Sequence, residues 1–126
     1  MTDNKNHKVA VLGGGSFGTA IANMIASNDY PVTLWLRSET RAQTIRETHE
    51  NPDYLPGYAL HSSLKVSTDL ELALAGAQTV FFAVPSSSFR QLAKQASAFL
   101  NRDCIVVSTA KGIEANSFML PSEILE

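Results

Sequence analysis

Apolar and polar positions along this chain follow two rhythms. Val9-Ala10-Val11-Leu12, Val32-Thr33-Leu34-Trp35-Leu36, Thr79 to Val84 and Cys104 to Ser108 are short runs rich in β-formers. They predict strands over about 8–12, 32–36, 79–84 and 104–108, with Leu64-Lys65-Val66 as a shorter one. Between them the spacing changes to 3.6 residues per turn. Phe17, Ala20, Ile21, Met24 and Asn28, apolar except the last, predict a helix over about 16–28. Phe89, Leu92, Ala93, Ala96, Phe99 and Leu100 line one face of a second, over about 87–100. Ser38 is placed to cap a polar helix over about 39–49, with Glu39 in its first turn. Thr68 and Glu71 read as a capping box for a helix over about 69–75, which Gly76 stops. Asn28-Asp29-Tyr30-Pro31 breaks the first helix, and the two prolines and the glycine of Asn51-Pro52-Asp53-Tyr54-Leu55-Pro56-Gly57 argue against regular structure there.

Strands and helices alternate throughout, which predicts an α/β fold: a doubly wound parallel sheet of the Rossmann type with helices on both faces. The continuous apolar run from Thr79 to Val84 suits the buried centre of such a sheet. Pro121-Ser122-Glu123-Ile124-Leu125-Glu126 reads as a helix just starting, with Ser122 as its cap and an apolar face whose partners are missing. That ending predicts that a second domain belongs after residue 126 and that residues 1–126 make one domain.

The first strand runs directly into Gly13-Gly14-Gly15-Ser16-Phe17-Gly18, and Gly13, Gly15 and Gly18 have the G-x-G-x-x-G spacing. Gly13 allows a tight turn, Gly15 lets a phosphate approach the backbone, and Gly18 lets helix and strand pack closely. A dinucleotide's pyrophosphate would then sit on the N–H groups at a helix N-terminus. The plainer reading of such a triplet is a strand–turn–helix with no ligand. The helical pattern that begins at once after it favours the dinucleotide.

Composition changes this picture only by exclusion. With 126 residues, 44% of them hydrophobic, the chain has the size and makeup of one globular domain. A net charge of -2, with both signs interspersed, argues against a nucleic-acid or anionic-membrane partner. No apolar run is long enough to span a bilayer, and Met1 to Lys8 has no apolar core of a secretory signal. The lone Cys104 precludes an intrachain disulfide and favours a reducing, cytoplasmic setting. In its apolar run it reads as a structural thiol.

Three further positions carry candidate chemistry. Arg37 stands at the end of the second strand, where many NAD-binding folds carry a carboxylate for the ribose 2′-OH. A guanidinium forks onto a 2′-phosphate or stacks on adenine instead, which tips the choice towards NADP or towards tolerance of NAD and NADP; a solvated arginine is the bland alternative. Pro85, in Ala83-Val84-Pro85-Ser86, lies at the carboxyl end of a buried strand, where ligands bind in open α/β sheets. It sets a loop beside the cofactor, starts a helix, or does both. Lys111, before Gly112 at the end of the last strand, either holds a phosphate or carbonyl or is an exposed cation; its chemistry alone leaves both open. His7, His49 and His61 lack ligand spacing, so no metal site is expected. No catalytic group is predicted within the chain.

Taken together, the glycine segment, Leu34-Trp35-Leu36-Arg37, the Asn51 to Gly57 loop, Val84-Pro85-Ser86 and Lys111-Gly112-Ile113-Glu114 resemble the bacterial NAD(P)-dependent glycerol-3-phosphate dehydrogenases. The match runs in the family's order from about residue 8 to the end. Its Tyr-Leu-Pro-Gly and Lys-Gly-Ile-Glu segments are far more specific than the glycines. The resemblance implies hydride transfer between a reduced nicotinamide and dihydroxyacetone phosphate, giving sn-glycerol 3-phosphate for phospholipid synthesis. It implies cofactor contacts from Ser16, Phe17 and Arg37, and contact with cofactor and substrate from Lys111. It also implies that a helical domain beyond these residues supplies the catalytic lysine and most of the substrate's phosphate grip, so that residues 1–126 alone are inactive. Phe17 stands where the family often has Trp, and Leu60-His61 where Leu-Pro is usual. The alternatives are a non-catalytic dinucleotide-binding or sensing module, and a related dehydrogenase with another hydroxyacid substrate. Apolar surface around Ile124 and Leu125 further predicts self-association as a homodimer.

Overall fold

The computed structural model describes residues 7–100 and 103–108. Lys111, Gly112 and the segment from Pro121 to Glu126, with its predicted helix and self-association surface, lie outside the described residues. Within them the chain runs β1 (Val9–Leu12), α1 (Ser16–Ser27), β2 (Val32–Trp35), α2 (Glu39–Thr48), β3 (Lys65–Ser67), α3 (Leu70–Leu74), β4 (Thr79–Phe82), α4 (Ser86–Ser97) and β5 (Ile105–Ser108).

The five strands form one parallel sheet in the order β3-β2-β1-β4-β5. β1 is buried along its whole length because both its faces are covered. Val9 and Val11, with Val32 and Leu34, face a core shared with Ala22 and Ala26 of α1 and Ala42 and Ile45 of α2. Ala10, Leu12, Val80 and Phe82 face the other way, onto Ala73 and Leu74 of α3 and Phe89, Leu92, Ala93 and Ala96 of α4. Phe82 and Phe89 meet edge to face at 5.1 Å between ring centroids. The doubly wound architecture is therefore as the alternation predicts.

Element ends differ by a residue or more. β3 runs one residue later than Leu64-Lys65-Val66, β4 stops at Phe82 rather than Val84, and α4 spans Ser86–Ser97 rather than reaching Leu100. α1 differs in which side it buries. Phe17 and Met24, both on its predicted apolar face, are each 58% exposed, whereas Gly18, Thr19, Ala22 and Ala26 are buried. Small residues win this face because the helix start lies almost against the sheet: a Cβ on Gly18 would overlap the Gly13 carbonyl and come within 3.1 Å of the Ala83 Cβ.

Caps divide similarly. Ser38 caps α2 as predicted, its hydroxyl accepting from the Arg41 N–H at 3.1 Å. For α3 the cap is Asp69, whose carboxylate accepts from the Leu72 N–H at 3.2 Å, and no capping box forms. Glu71 falls one position too early to reach back, and Thr68 instead donates to Glu39 at 2.8 Å. Gly76, at φ 75°, follows the end of α3. The Cys104 thiol packs half-buried against the α3/α4 core, and burial pushes its pKa up, as suits a structural rather than a reactive thiol.

Candidate functional site

In an order of β3-β2-β1-β4-β5 the connections from β1 and β4 leave towards opposite faces of the sheet. That divergence opens a crevice beyond the carboxyl ends of β1 and β4, where open α/β sheets bind ligands. Gly13 leaves β1 with its N–H donating to the Trp35 carbonyl at 2.8 Å, and Ala83 leaves β4 with its N–H donating to the Leu12 carbonyl at 2.8 Å. The predicted glycines, Arg37 and Pro85 all lie in or beside these turns.

Each glycine of the motif meets a different constraint. Gly13 has φ 126°, a conformation that L side chains rarely adopt, and a Cβ there would collide with the Ala83 carbonyl. Gly18 is closed by the contacts described above. Gly15 has ordinary φ of -76° and no atom within 4 Å of where its Cβ would be. Nothing in the fold demands glycine at 15, and open space over the start of α1 is what an approaching phosphate needs. Gly15 is also the N-cap residue, so no side chain caps this helix, and its first turn holds no acidic residue. An anion there meets free donors and the positive end of the helix dipole.

Around this opening, Phe17 presents an exposed aromatic ring and Arg37 an exposed guanidinium, its carbon 5.5 Å from the centroid of the Trp35 ring. Pro85 occupies the N-cap of α4 at φ -59°, so it both ends the β4 turn and starts a helix. Ser16 lies at the start of α1, and its hydroxyl donates to the Tyr54 carbonyl. Lys111, the remaining predicted residue, is outside the described residues.

That Ser16–Tyr54 bond exposes what the sequence left unread. The Asn51 to Gly57 segment is ordered by an antiparallel bridge between Asn51 and Leu55 and lies against the glycine turn. Asn51 is fully buried, and its amide donates to the Gly14 carbonyl at 2.9 Å and to Thr19 Oγ1 at 2.8 Å. Arg41 holds the outer side, 4.7 Å from the Tyr54 ring centroid and 3.3 Å from the Asp53 carboxylate. An asparagine before a proline reads as a turn residue, and no spacing rule links it to a glycine 37 residues earlier.

The histidines serve local contacts. His7 pairs with the Thr79 hydroxyl at 2.7 Å, His61 with the Ser63 hydroxyl at 2.8 Å, and His49 ends α2 at φ 57°. A cavity of about 580 Å³, bordered by Val32, Ile45, Leu60 and Lys65, opens near the amino ends of β2 and β3. It stands at the opposite edge of the sheet from the glycine turn. No helix among the described residues is long and apolar enough to cross a membrane.

Comparison with known proteins shows the family. The family model described as NAD-dependent glycerol-3-phosphate dehydrogenase N-terminus matches residues 8–126. A Teredinibacter turnerae protein named glycerol-3-phosphate dehydrogenase, NAD(P)+, is 51% identical over 119 residues, 94% of this chain and 35% of its own length. One of that name from Bacillus licheniformis is 43% identical over 94% of this chain and 34% of its own. A crystal structure of glycerol-3-phosphate dehydrogenase from Coxiella burnetii superposes with a TM-score of 0.83 at 28% identity, over 94% of this chain and 36% of that one. The chain thus spans about a third of the length of the relatives it matches.

Proposed function

We infer the function from one premise: this chain belongs to the family of the NAD-dependent glycerol-3-phosphate dehydrogenase N-terminus. These residues form the cofactor-binding part of an enzyme that interconverts dihydroxyacetone phosphate and sn-glycerol 3-phosphate, with NADPH or NADH as the reductant. The carrying observation is the uncapped, acid-free start of α1 beneath the open space at Gly15, at the switch point of a parallel sheet.

The residues fit a dinucleotide diphosphate. Backbone N–H groups at Gly15, Ser16 and Phe17 would hold the pyrophosphate. Arg37 would meet the adenosine ribose or its 2′-phosphate, and Pro85 would shape the opposite wall. The bound cofactor supplies the hydride; the chain's part is to hold it and to fix its direction across the sheet edge. Lys111 would reach both cofactor and substrate. Product made this way, in the cytoplasm, serves phospholipid synthesis, and residues 1–126 by themselves bind cofactor without turnover. Association into a homodimer through Ile124 and Leu125 belongs to the same reading, and sedimentation as a monomer at high concentration would remove it.

Calorimetric titration with NADPH and then NADH tests the core of this. Both should bind, and Arg37→Ala should weaken NADPH about tenfold and NADH less than about threefold. Equal losses for the two would take the 2′-phosphate role from Arg37. No binding of either would count against the dinucleotide site itself.

A further inference from the structure

With no side chain at 13, 14 or 15, the backbone dihedrals of this turn are little restricted by the residues themselves. The peptide joining Gly14 to Gly15 is the weak point, because glycine on both sides tolerates either orientation of the plane. A trans peptide points its C=O and N–H in opposite directions, and the described residues contain no cis bond. Whichever group holds the Gly14 carbonyl therefore sets where the Gly15 N–H points.

Asn51 holds that carbonyl, at 2.9 Å, from a fully buried position. Its second amide hydrogen goes to Thr19 Oγ1 at 2.8 Å, and the Thr19 hydroxyl in turn donates a longer bond to the same carbonyl at 3.4 Å. The Asn51 Oδ1 is buried with no hydrogen-bond partner among the described residues. Leaving a buried acceptor unpaired costs stability, so the amide's orientation is dictated by its donors. The reverse orientation would set one acceptor against another at Gly14.

We propose that Asn51 is a positioning residue for the cofactor: by clamping the Gly14 carbonyl inward, it locks the Gly15 N–H outward, into the open space where the pyrophosphate binds. With this peptide flipped, a carbonyl oxygen would face the phosphates and repel them. The inference rests on the dinucleotide reading given above. It assigns a function to the Asn51 to Leu55 segment, which seats this side chain through its bridge.

The test titrates the 126-residue chain with ADP-ribose, which carries the pyrophosphate without the nicotinamide, and follows the Gly15 amide by nitrogen–proton NMR. The wild type should bind, with a sharp Gly15 amide that shifts on addition. Asn51→Ala should weaken binding about tenfold and broaden the Gly15 amide by exchange, whereas Thr19→Val, which removes the Asn51–Thr19 bond and the longer Thr19–Gly14 bond but keeps the Asn51–Gly14 contact, should weaken it less than about threefold. Unchanged binding in Asn51→Ala, or equal losses in the two variants, would overturn the clamp while leaving the dinucleotide site standing. If Asn51→Ala fails to fold, the wild type decides alone, because a Gly15 amide already exchange-broadened before ligand is added contradicts a lock. A wild type that does not bind ADP-ribose overturns the dinucleotide reading and the clamp with it.

Discussion

Gly13→Ala and Gly15→Ala add the same methyl group two residues apart in one turn, with opposite expected results. At Gly13 the methyl meets the Ala83 carbonyl, and φ of 126° is strained for alanine, so stability should fall by about 3 kcal/mol or more. At Gly15 the methyl meets nothing within 4 Å, and φ of -76° suits alanine. Stability should stay level or rise by up to about 1 kcal/mol, because the unfolded chain loses freedom. The dinucleotide, however, should bind at least about tenfold more weakly, since the methyl occupies the phosphate's approach. Urea unfolding and calorimetry on both variants separate these effects. A Gly15→Ala chain that unfolds early would mean that the third glycine of the turn is there for the fold. The glycine spacing was legible in the sequence; which glycine serves the fold and which the ligand was not, because that depends on Ala83, far away in the chain.

At the scale of elements, short helices depend on their ends. Ser38→Ala and Asp69→Ala should each cost about 1 kcal/mol, read as a lower urea midpoint. Glu39 links α2 to the turn between β3 and α3: from the first turn of α2 it accepts from Arg46, in the same helix, at 3.1 Å and from Thr68 in that turn at 2.8 Å. The Thr68 hydroxyl, and then Arg46, hold its carboxyl below the ordinary carboxylate value. A depressed carboxylate stabilises the fold above its unfolded pKa, and that contribution disappears as pH falls through the folded value. Glu39→Gln should therefore lower stability between pH 6 and 8, where the contribution is fully present, and show a flatter loss on the acid side, which melting curves across pH would reveal. A variant whose acid limb matches the wild type would show that these contacts are not made in solution. Helix existence was readable from periodicity; the buried side of α1 was not. Apolar size marked Phe17 and Met24, whereas close packing on the sheet selected Gly18, Ala22 and Ala26.

For the whole molecule, binding and folding are linked. A ligand that binds only the folded chain adds stability by mass action, about 2.7 kcal/mol at a hundred times its dissociation constant. NADPH at that excess should raise the melting temperature by several degrees, and 2′-deoxyadenosine at the same concentration should not. A melting temperature indifferent to NADPH would count against the dinucleotide site in these residues. The linkage runs through the β1–α1 turn, which joins the central strand to the ligand edge and contacts β2, β4 and the Asn51 loop at once.

The order of strands and helices, the covered faces of the sheet and the glycine spacing were determined by the sequence alone, because each is written in neighbours a few residues apart. Strand order β3-β2-β1-β4-β5, the rotation of α1 and the choice of Asp69 over Thr68 were decided only in three dimensions, where volumes and donors from distant segments compete for one place. Asn51 is the clearest case. Its meaning lies entirely in a carbonyl 37 residues away, and no local rule of turn or period points from one to the other.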